Sequence, residues 1–304
     1  MDIDAIRLHF SPSGLVVLNG VLAMVMFGVA LDLRWQDLRE VGRAPQAVLL
    51  GLGAQFLLLP AATFALVNWL EPLPSMALGM FLVAACPGGN LSNFLTQMAG
   101  GNTALSVMMS AISTCAAVLL TPLNFAFWAG LYPPTAKILQ EVAVSPQEAF
   151  LVVATILGLP VAAGMLTAAR FPAFAERARG PMRKLSLAAF AAFVAVAFAA
   201  NFQHFVHFVH RVAALVLLHN ALALLIGRLT GYLAKLKDKD QRAVTIEIGI
   251  QNSGLGLVLI FNFFAGLGGM AIIAAWWGIW HILAGMALAF FWSQRPIQNA
   301  EGRA

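Results

Sequence analysis

Two short stretches hold most of the polar chemistry that lies inside apolar sequence. One is Cys86-Pro-Gly-Gly-Asn-Leu-Ser-Asn93, the other Glu247-Ile-Gly-Ile-Gln-Asn-Ser253. Of the 13 acidic residues, Glu247 alone sits deep in an apolar run, with Asp32 the nearest exception. A carboxylate in a bilayer costs about 2.5–3.5 kcal/mol and is a functional candidate by default. Gln251 follows one helical turn on, then Asn252 and Ser253, and no Lys or Arg shares the run 243–265. A carboxylate, an amide and freed carbonyls around one break form the all-oxygen shell that hard cations take. A protonated structural Glu and a proton-coupling Glu are the two other roles open to this residue.

Matching oxygens stand in the first stretch at Asn90, Ser92 and Asn93. Ser106, Ser110 and Ser113/Thr114 follow at helical spacing, a pattern that also serves helix–helix packing. Gln55 is an isolated mid-run amide. His219-Asn220 and His281 read first as hydrogen-bonded structure. His204, His207 and His210 share a helical face, but in a Phe-containing stretch that reads as interfacial rather than metal-binding. Cys86 and Cys115 show neither a C-x-x-C nor a metal-ligand spacing.

The elements that position these residues must cross a membrane. The chain is 61% hydrophobic and 10% charged, against about 45–50% and 25% in soluble domains. Its mean hydropathy is +0.84. A cytosolic enzyme, a disordered chain and a secreted disulfide scaffold are excluded. The net charge of +5 needs no nucleic-acid partner, because membrane topology accounts for it. The N-terminus has no basic region leading into an apolar run, so neither a signal nor a transit peptide is indicated.

One crossing takes roughly 20 apolar residues. The charge-free stretches 72–136 and 248–294 therefore each hold two, with turns at Gly100-Gly101-Asn102 and Gly266-Leu-Gly-Gly269. Nine spans are predicted, at about 14–33, 46–70, 75–99, 103–131, 149–169, 185–206, 211–234, 243–265 and 270–292. That count places fifteen of the 18 basic residues on one side, which the positive-inside rule makes cytoplasmic. The N-terminus is then outside and the C-terminus inside. The lipid bilayer is the implied partner, and a bacterial inner membrane the expected location.

Pro87-Gly88-Gly89 in span three and the Gly- and amide-rich run of span eight should interrupt their helices. Paired interrupted helices point to a transporter site, and the two spans run in opposite directions, as an inverted repeat requires. Spans two, one and four then match seven, six and nine, and span five is left without a partner. The predicted class is an all-α polytopic membrane protein with nine transmembrane helices, an inverted repeat and two discontinuous crossing helices.

These motifs, with Met26-Phe-Gly-Val-Ala-Leu31, Gln55-Phe-Leu-Leu-Leu-Pro60, Leu105-Ser106 and Thr121-Pro122, resemble the bile acid:sodium symporter family from about residue 20 to 293. The resemblance implies a single transporter unit, residues 1–304, built from two helical domains. A panel would hold the spans at about 14–33, 149–169 and 185–206, and a core those at about 46–131 and 211–292. It implies one sodium among Ser92, Asn93, Ser106, Ser110 and Glu247. It implies a second at Gln55, Glu247 and Gln251 with the carbonyls of Ile248 and Ile250. Substrate, an organic anion such as a bile-acid-like molecule or a small carboxylate, would face Asn90 and Asn252, with His281 as a wall residue. Sodium is the coupling ion and no other cofactor is implied. Family members in bacteria often have ten spans; the first is missing here, which agrees with the unpartnered span five.

Two other carriers compete with that reading. A metalloid-anion efflux carrier of related fold would use a thiol near the break, here Cys86, although the Gln-Asn-Ser cluster favours sodium. A sodium-independent or proton-coupled organic-acid carrier is the other. An intramembrane enzyme needs a nucleophile–base pair or a metal motif, and H-E-x-x-H, paired aspartates and G-x-S-x-G are all absent.

Overall fold

The computed structural model describes residues 3–4, 7, 12–31, 45–89, 91–142, 151–200, 202–295 and 297, with side chains between 183 and 211 described in part. Among these residues the chain is helical, joined by turns, with two isolated bridges. The helices are α1 Pro12–Ala30, α2 Pro45–Gly53, α3 Leu59–Leu70, α4 Pro74–Ala85, α5 Leu91–Met98, α6 Thr103–Leu131 and α7 Pro133–Val142. They continue as α8 Leu159–Arg170, α9 Pro172–Ala200, α10 Phe202–Leu233, α11 Asp238–Gly249, α12 Ser253–Phe263 and α13 Gly268–Ser293. Proline opens α1, α2, α4, α7 and α9, the position where its missing N–H is not needed by the helix.

Two prolines act differently. Pro60 and Pro160 follow π-helical turns, Ala54–Leu58 and Ala154–Gly158. Leu59 N–H donates to Ala54 O and Leu159 N–H to Ala154 O. The hydrogen-bond ladder slips by one residue ahead of a proline that cannot donate. The helix axis carries on, so Gln46–Leu70 and Leu151–Arg170 each remain one apolar rod.

Among the described residues, 6 helices are long and apolar enough to cross a membrane: Ser13–Ala30, Gln46–Leu70, Thr103–Leu131, Leu151–Arg170, Val212–Leu233 and Gly268–Ser293. Spans three and eight come instead as pairs of half-helices, α4 with α5 and α11 with α12, because Pro87-Gly88-Gly89 and the run after Gly249 end the ladders. The span predicted at 185–206 falls on α9, which starts earlier, at Pro172, and on the first turns of α10. Pro172 opens α9, which runs through Gly180-Pro181 as one helix to Ala200. The histidine stretch, read as interfacial, forms the beginning of α10; the side chains of His204 and His207 lie outside the described residues.

The half-helices are the core. Every residue of α4 from Ser75 to Ala85, of α11 from Gln241 to Gly249 and of α12 from Ser253 to Phe261 is buried. A helix buried on all faces must be surrounded by other helices: α13 packs on both α4 and α12, α6 on both α4 and α5, and α10 along α11. On another side α1 packs against α8, α9 and α12. It meets α12 through a reciprocal amide pair, Asn19 Nδ2 to Asn262 Oδ1 at 3.2 Å and Asn262 Nδ2 to Asn19 Oδ1 at 2.9 Å.

The α10–α11 contact is close enough to require glycine. A Cβ at Gly227 would lie 2.7 Å from Thr245 Cα and 3.1 Å from Thr245 O. These are backbone atoms, so the helices would have to separate. Gly227→Ala should therefore destabilise the protein by about 1–3 kcal/mol. Gly130→Ala, where nothing lies within 4 Å of the added carbon, should be neutral or stabilising by up to about 1 kcal/mol. Thermal unfolding of the two variants in detergent checks the contrast.

Candidate functional site

Breaking a helix inside apolar surroundings strands carbonyls that must find donors. At the first break Cys86 is extended, and three successive carbonyls are picked up from elsewhere. Ala85 O accepts from Thr121 Oγ1 at 2.8 Å, Cys86 O from Gln55 Nε2 at 2.9 Å and Pro87 O from Asn252 N at 2.9 Å. At the second break Gly249 O accepts from Asn220 Nδ2 at 2.8 Å, Ile250 O from Gly89 N at 2.7 Å and Ile248 O from Gln251 Nε2 at 2.7 Å. The two breaks thus cross through a main-chain pair, with Gly88 opposite Gln251 in an antiparallel bridge.

Glu247 reaches this crossing from α11 and is 1% exposed. Its Oε2 accepts from Ser92 Oγ at 2.5 Å and Ser106 Oγ at 3.2 Å, and its Oε1 from Ser110 Oγ at 2.7 Å. Asn93 Oδ1 faces the same hydroxyls, 2.8 Å from Ser106 and 3.3 Å from Ser110. Helical spacing explains the assembly: Ser106 and Ser110 are one turn apart on α6, while Ser92 and Asn93 lie in the first turn of α5. Two carboxylate oxygens, an amide oxygen and three hydroxyl oxygens converge, and their three hydroxyl protons with one more from Thr96 are fewer than the lone pairs they face. The set is rich in lone pairs and carries an ionisable carboxyl group, and the hydrogen bonds that assemble it among the described residues involve no Lys or Arg.

Gly88 makes room for the carboxylate. A Cβ there would collide with Glu247 Oε1 and lie 2.8 Å from its Cδ. The cradle, the all-oxygen donor set and the acceptor excess all fit a hard cation. Among the described residues no three His, Cys, Asp or Glu side chains come together, so the site offers oxygen rather than soft ligands.

The second predicted ligand set is assembled as a hydrogen-bonded knot. Gln55, on the π-helical turn, donates to Gln251 Oε1 at 2.8 Å, and Gln251 Nε2 is 3.2 Å from Gln55 Oε1. The Ile248 carbonyl joins through Gln251, whereas the Ile250 carbonyl is committed to Gly89 N–H. The hydrogen bonds of Glu247 run to the serine set, not to Gln55 or Gln251.

The three predicted substrate residues differ. Asn90 lies outside the described residues. Asn252 caps α12, its Oδ1 accepting from Leu255 N at 3.1 Å, which fixes the amide and directs its NH2 elsewhere. His281 is buried on α13 between two positions that face the second break. A Cβ at Gly278 would be 2.8 Å from Ser253 Oγ, and one at Gly285 2.8 Å from Ile250 Cδ1. Among the described residues His281 Nδ1 has no partner.

His219 is buried and hydrogen-bonded to Thr63. Thr63 Oγ1 donates to Leu59 O at 2.8 Å, so it accepts from His219 Nε2 at 2.8 Å. Cys86 is fully buried with its thiol toward Gly256. Thr96 was missed by the sequence reading; it sits one turn beyond Ser92 and donates to Ser106 Oγ at 3.3 Å. The Ser92/Thr96 spacing was the available signal. Finally, α5 and α12 both begin at the crossing, aiming two helix N-termini and their partial positive charge at it.

Comparison with known proteins agrees with this geometry. A profile of the Sodium Bile acid symporter family matches residues 20–208, which include Gln55, Ser92, Asn93, Ser106 and Ser110. Longer alignments extend past Glu247. The chain is 34% identical over 281 residues, 92% of its length and 84% of the relative's, to the "Uncharacterized sodium-dependent transporter YocS" of Bacillus subtilis. It is 30% identical over 276 residues to the "Probable sodium/metabolite cotransporter BASS2, chloroplastic" of Oryza sativa, covering 91% of this chain and 64% of that one. It is 26% identical over 249 residues to the "Sodium-dependent organic anion transporter" of Mus musculus, covering 80% and 64%.

Filling the Gly88 cradle should disturb the carboxylate without touching any hydrophobic packing. Gly88→Ala is expected to cost about 1–3 kcal/mol. Thermal unfolding checks this, and the loss should disappear when Glu247 is shortened to Ala in the same chain.

Proposed function

The chain belongs to the sodium bile acid symporter family, and from that premise we propose that it carries an organic anion across a membrane together with sodium. It is a transporter rather than an enzyme. The observation that carries the reading is the buried Glu247 carboxylate inside a set of oxygens with too few protons. A sodium ion among Ser92, Asn93, Ser106, Ser110 and Glu247 would balance both the charge and the lone pairs. A second ion would be held by Gln55, Gln251, Glu247 and the Ile248 and Ile250 carbonyls. That requires the Gln55–Gln251 amide pair and the Gly89–Ile250 bond to open, which makes the second site the one that reshapes the crossing.

The anion would bind beside the crossing. Support comes from the N-termini of α5 and α12, the fixed NH2 group of Asn252, and His281 next to the second break, with Asn90 as the remaining contact. Sodium then links the substrate site to the two half-helices, because Ser92 and Asn93 sit on the first turn of α5. The inward pull on each sodium charge is about 2.3 kcal/mol per 100 mV of membrane potential.

For transport we propose that the split helices count as one crossing each. With α9 and the six long helices they make nine, arranged as an inverted repeat; the antiparallel bridge between the two breaks supports this symmetry. A panel of α1, α8 and α9 would move against a core of the other helices. The Asn19–Asn262 pair lies at the seam where α1 meets α12. The charge bias supports an N-terminus outside and a C-terminus in the cytoplasm, and we propose a bacterial inner membrane. The Cys86 thiol is fully buried, so a metalloid-anion carrier gains no support from it.

Uptake of labelled organic anions into proteoliposomes tests the reading. An inward sodium gradient should drive accumulation, and potassium or a proton gradient should not. Equal uptake without sodium would sink it, and proton-driven uptake would favour the proton-coupled carrier. Glu247→Gln should abolish the sodium stimulation while leaving the protein folded.

A further inference from the structure

At the end of the half-helices away from the crossing, Arg242 is 9% exposed and spends its guanidinium on main-chain carbonyls. Its Nη1 donates to Ala99 O, just past α5, at 2.5 Å and to Trp292 O, at the end of α13, at 3.1 Å. Its Nη2 donates to Arg295 O at 2.7 Å, and the group lies 5.6 Å from the Trp292 ring centroid. These carbonyls lie at two helix C-termini, where the dipoles place partial negative charge; Trp292 O also accepts from Arg295 N–H at 3.0 Å. A planar guanidinium can serve several such acceptors together; an ammonium cannot reproduce that fork. The same corner carries a second tie: Asn102 N donates to Lys239 O at 2.9 Å and Asn102 Nδ2 to Asp240 Oδ1 at 2.7 Å.

We propose that Arg242 is a positioning residue for the cation site, clamping the C-terminal end of α5 to α11 and so setting the spacing of Ser92 and Asn93 to Glu247. The inference rests on the sodium reading above. Helix α5 has 8 residues and is only about 12 Å long. Its N-terminal end is held by the main-chain pair at the crossing and its C-terminal end by Arg242. The contact from Ser92 to the carboxylate lies between these anchors. With both in place α5 can neither swing nor roll on α11, and the ligands are held in place before the ion arrives. With the outer anchor removed, ion binding has to order α5, and that cost appears as lost affinity. The hydrogen bonds of Arg242 among the described residues go to main-chain carbonyls and not to the site oxygens, so it acts through the helices it ties together.

Sodium titration by calorimetry, at constant ionic strength on the purified full chain, reads this directly. Arg242→Ala should weaken sodium binding by roughly 10–100-fold, the usual effect of losing an outer support of a metal site. Its maximal uptake rate at saturating sodium should stay within about twofold of wild type, since only uniform binding is lost. Arg242→Lys should fall between. A covalent clamp supplies the decisive variant. A Cβ at Gly101 would lie 3.2 Å from Arg242 Cβ and 2.9 Å from Thr96 Cγ2. The pair stands closer than the roughly 3.8 Å of a disulfide, so the turn at Gly101 has to move outward slightly, away from both Arg242 and the Thr96 carbonyl, which is 3.2 Å from the added carbon. Gly101→Cys with Arg242→Cys, in a Cys115→Ala background, should bind sodium near wild-type strength when oxidised and weakly after reduction. Equal affinity in the two redox forms overturns the proposal, even if Arg242→Ala fails to fold; so does an Arg242→Ala protein that titrates like wild type. Wild-type protein that gives no sodium signal would instead remove the sodium reading, and the role of the clamp with it.

Discussion

The Glu247 carboxyl group sits where water cannot reach it, and the architecture around it answers that constraint. A continuous helix has no spare backbone groups to offer a buried charge, and its side chains point away from one another. Two helices broken at the same depth solve both problems: they let backbone cross backbone and bring the first turn of α5 against the flank of α11. Breaking them frees carbonyls, and those carbonyls in turn dictate the neighbours. Thr121, Gln55 and Asn220 are there because Ala85, Cys86 and Gly249 need donors. The cost of stranding a buried carbonyl, about 1–3 kcal/mol each, explains why each of these side chains arrives from a different helix.

The same logic orders the helices by burial. The broken pieces carry the polar groups and are wrapped on all sides, while α6, α10 and α13 enclose them. Polar residues on those enclosing helices, Ser106, Ser110, Asn220 and His281, point inward to the breaks. The arrangement concentrates positive helix ends and a lone-pair-rich pocket at neighbouring points. That is the electrostatic pattern on which the proposed coupling of a cation to an anion would rest.

Much of this was legible in the sequence. A lone acid in an apolar run and a Pro-Gly-Gly cluster depend only on local spacing, and they marked the breaks; the grouping of Ser92, Asn93, Ser106 and Ser110 with Glu247 rested on the family resemblance, because serines one turn apart serve packing as readily. What depended on tertiary contact was not readable. Arg242 looked like one more basic residue on a cytoplasmic loop, because nothing local shows that two helix C-termini converge on it. Thr96 was hidden by its ordinary neighbours. The cap that the Asn252 oxygen makes on α12 was hidden too, because it depends on where the helix restarts. The span predicted at 211–234 matches the apolar stretch Val212–Leu233, but α10 begins earlier, at Phe202, and α9 at Pro172, ahead of the span predicted at 185–206, because charge marks where an apolar run ends and not where a helix does.

The central claim is that the carboxylate and its three hydroxyls form a sodium site, and equilibrium binding of radiolabelled sodium to the purified protein tests it most directly. The account predicts saturable binding that unlabelled sodium displaces and potassium does not, weakened at least tenfold, roughly 1.4 kcal/mol, by Ser110→Ala, which removes one oxygen and leaves the fold intact. Binding that is absent from the wild type, or unchanged in Ser110→Ala, would contradict it.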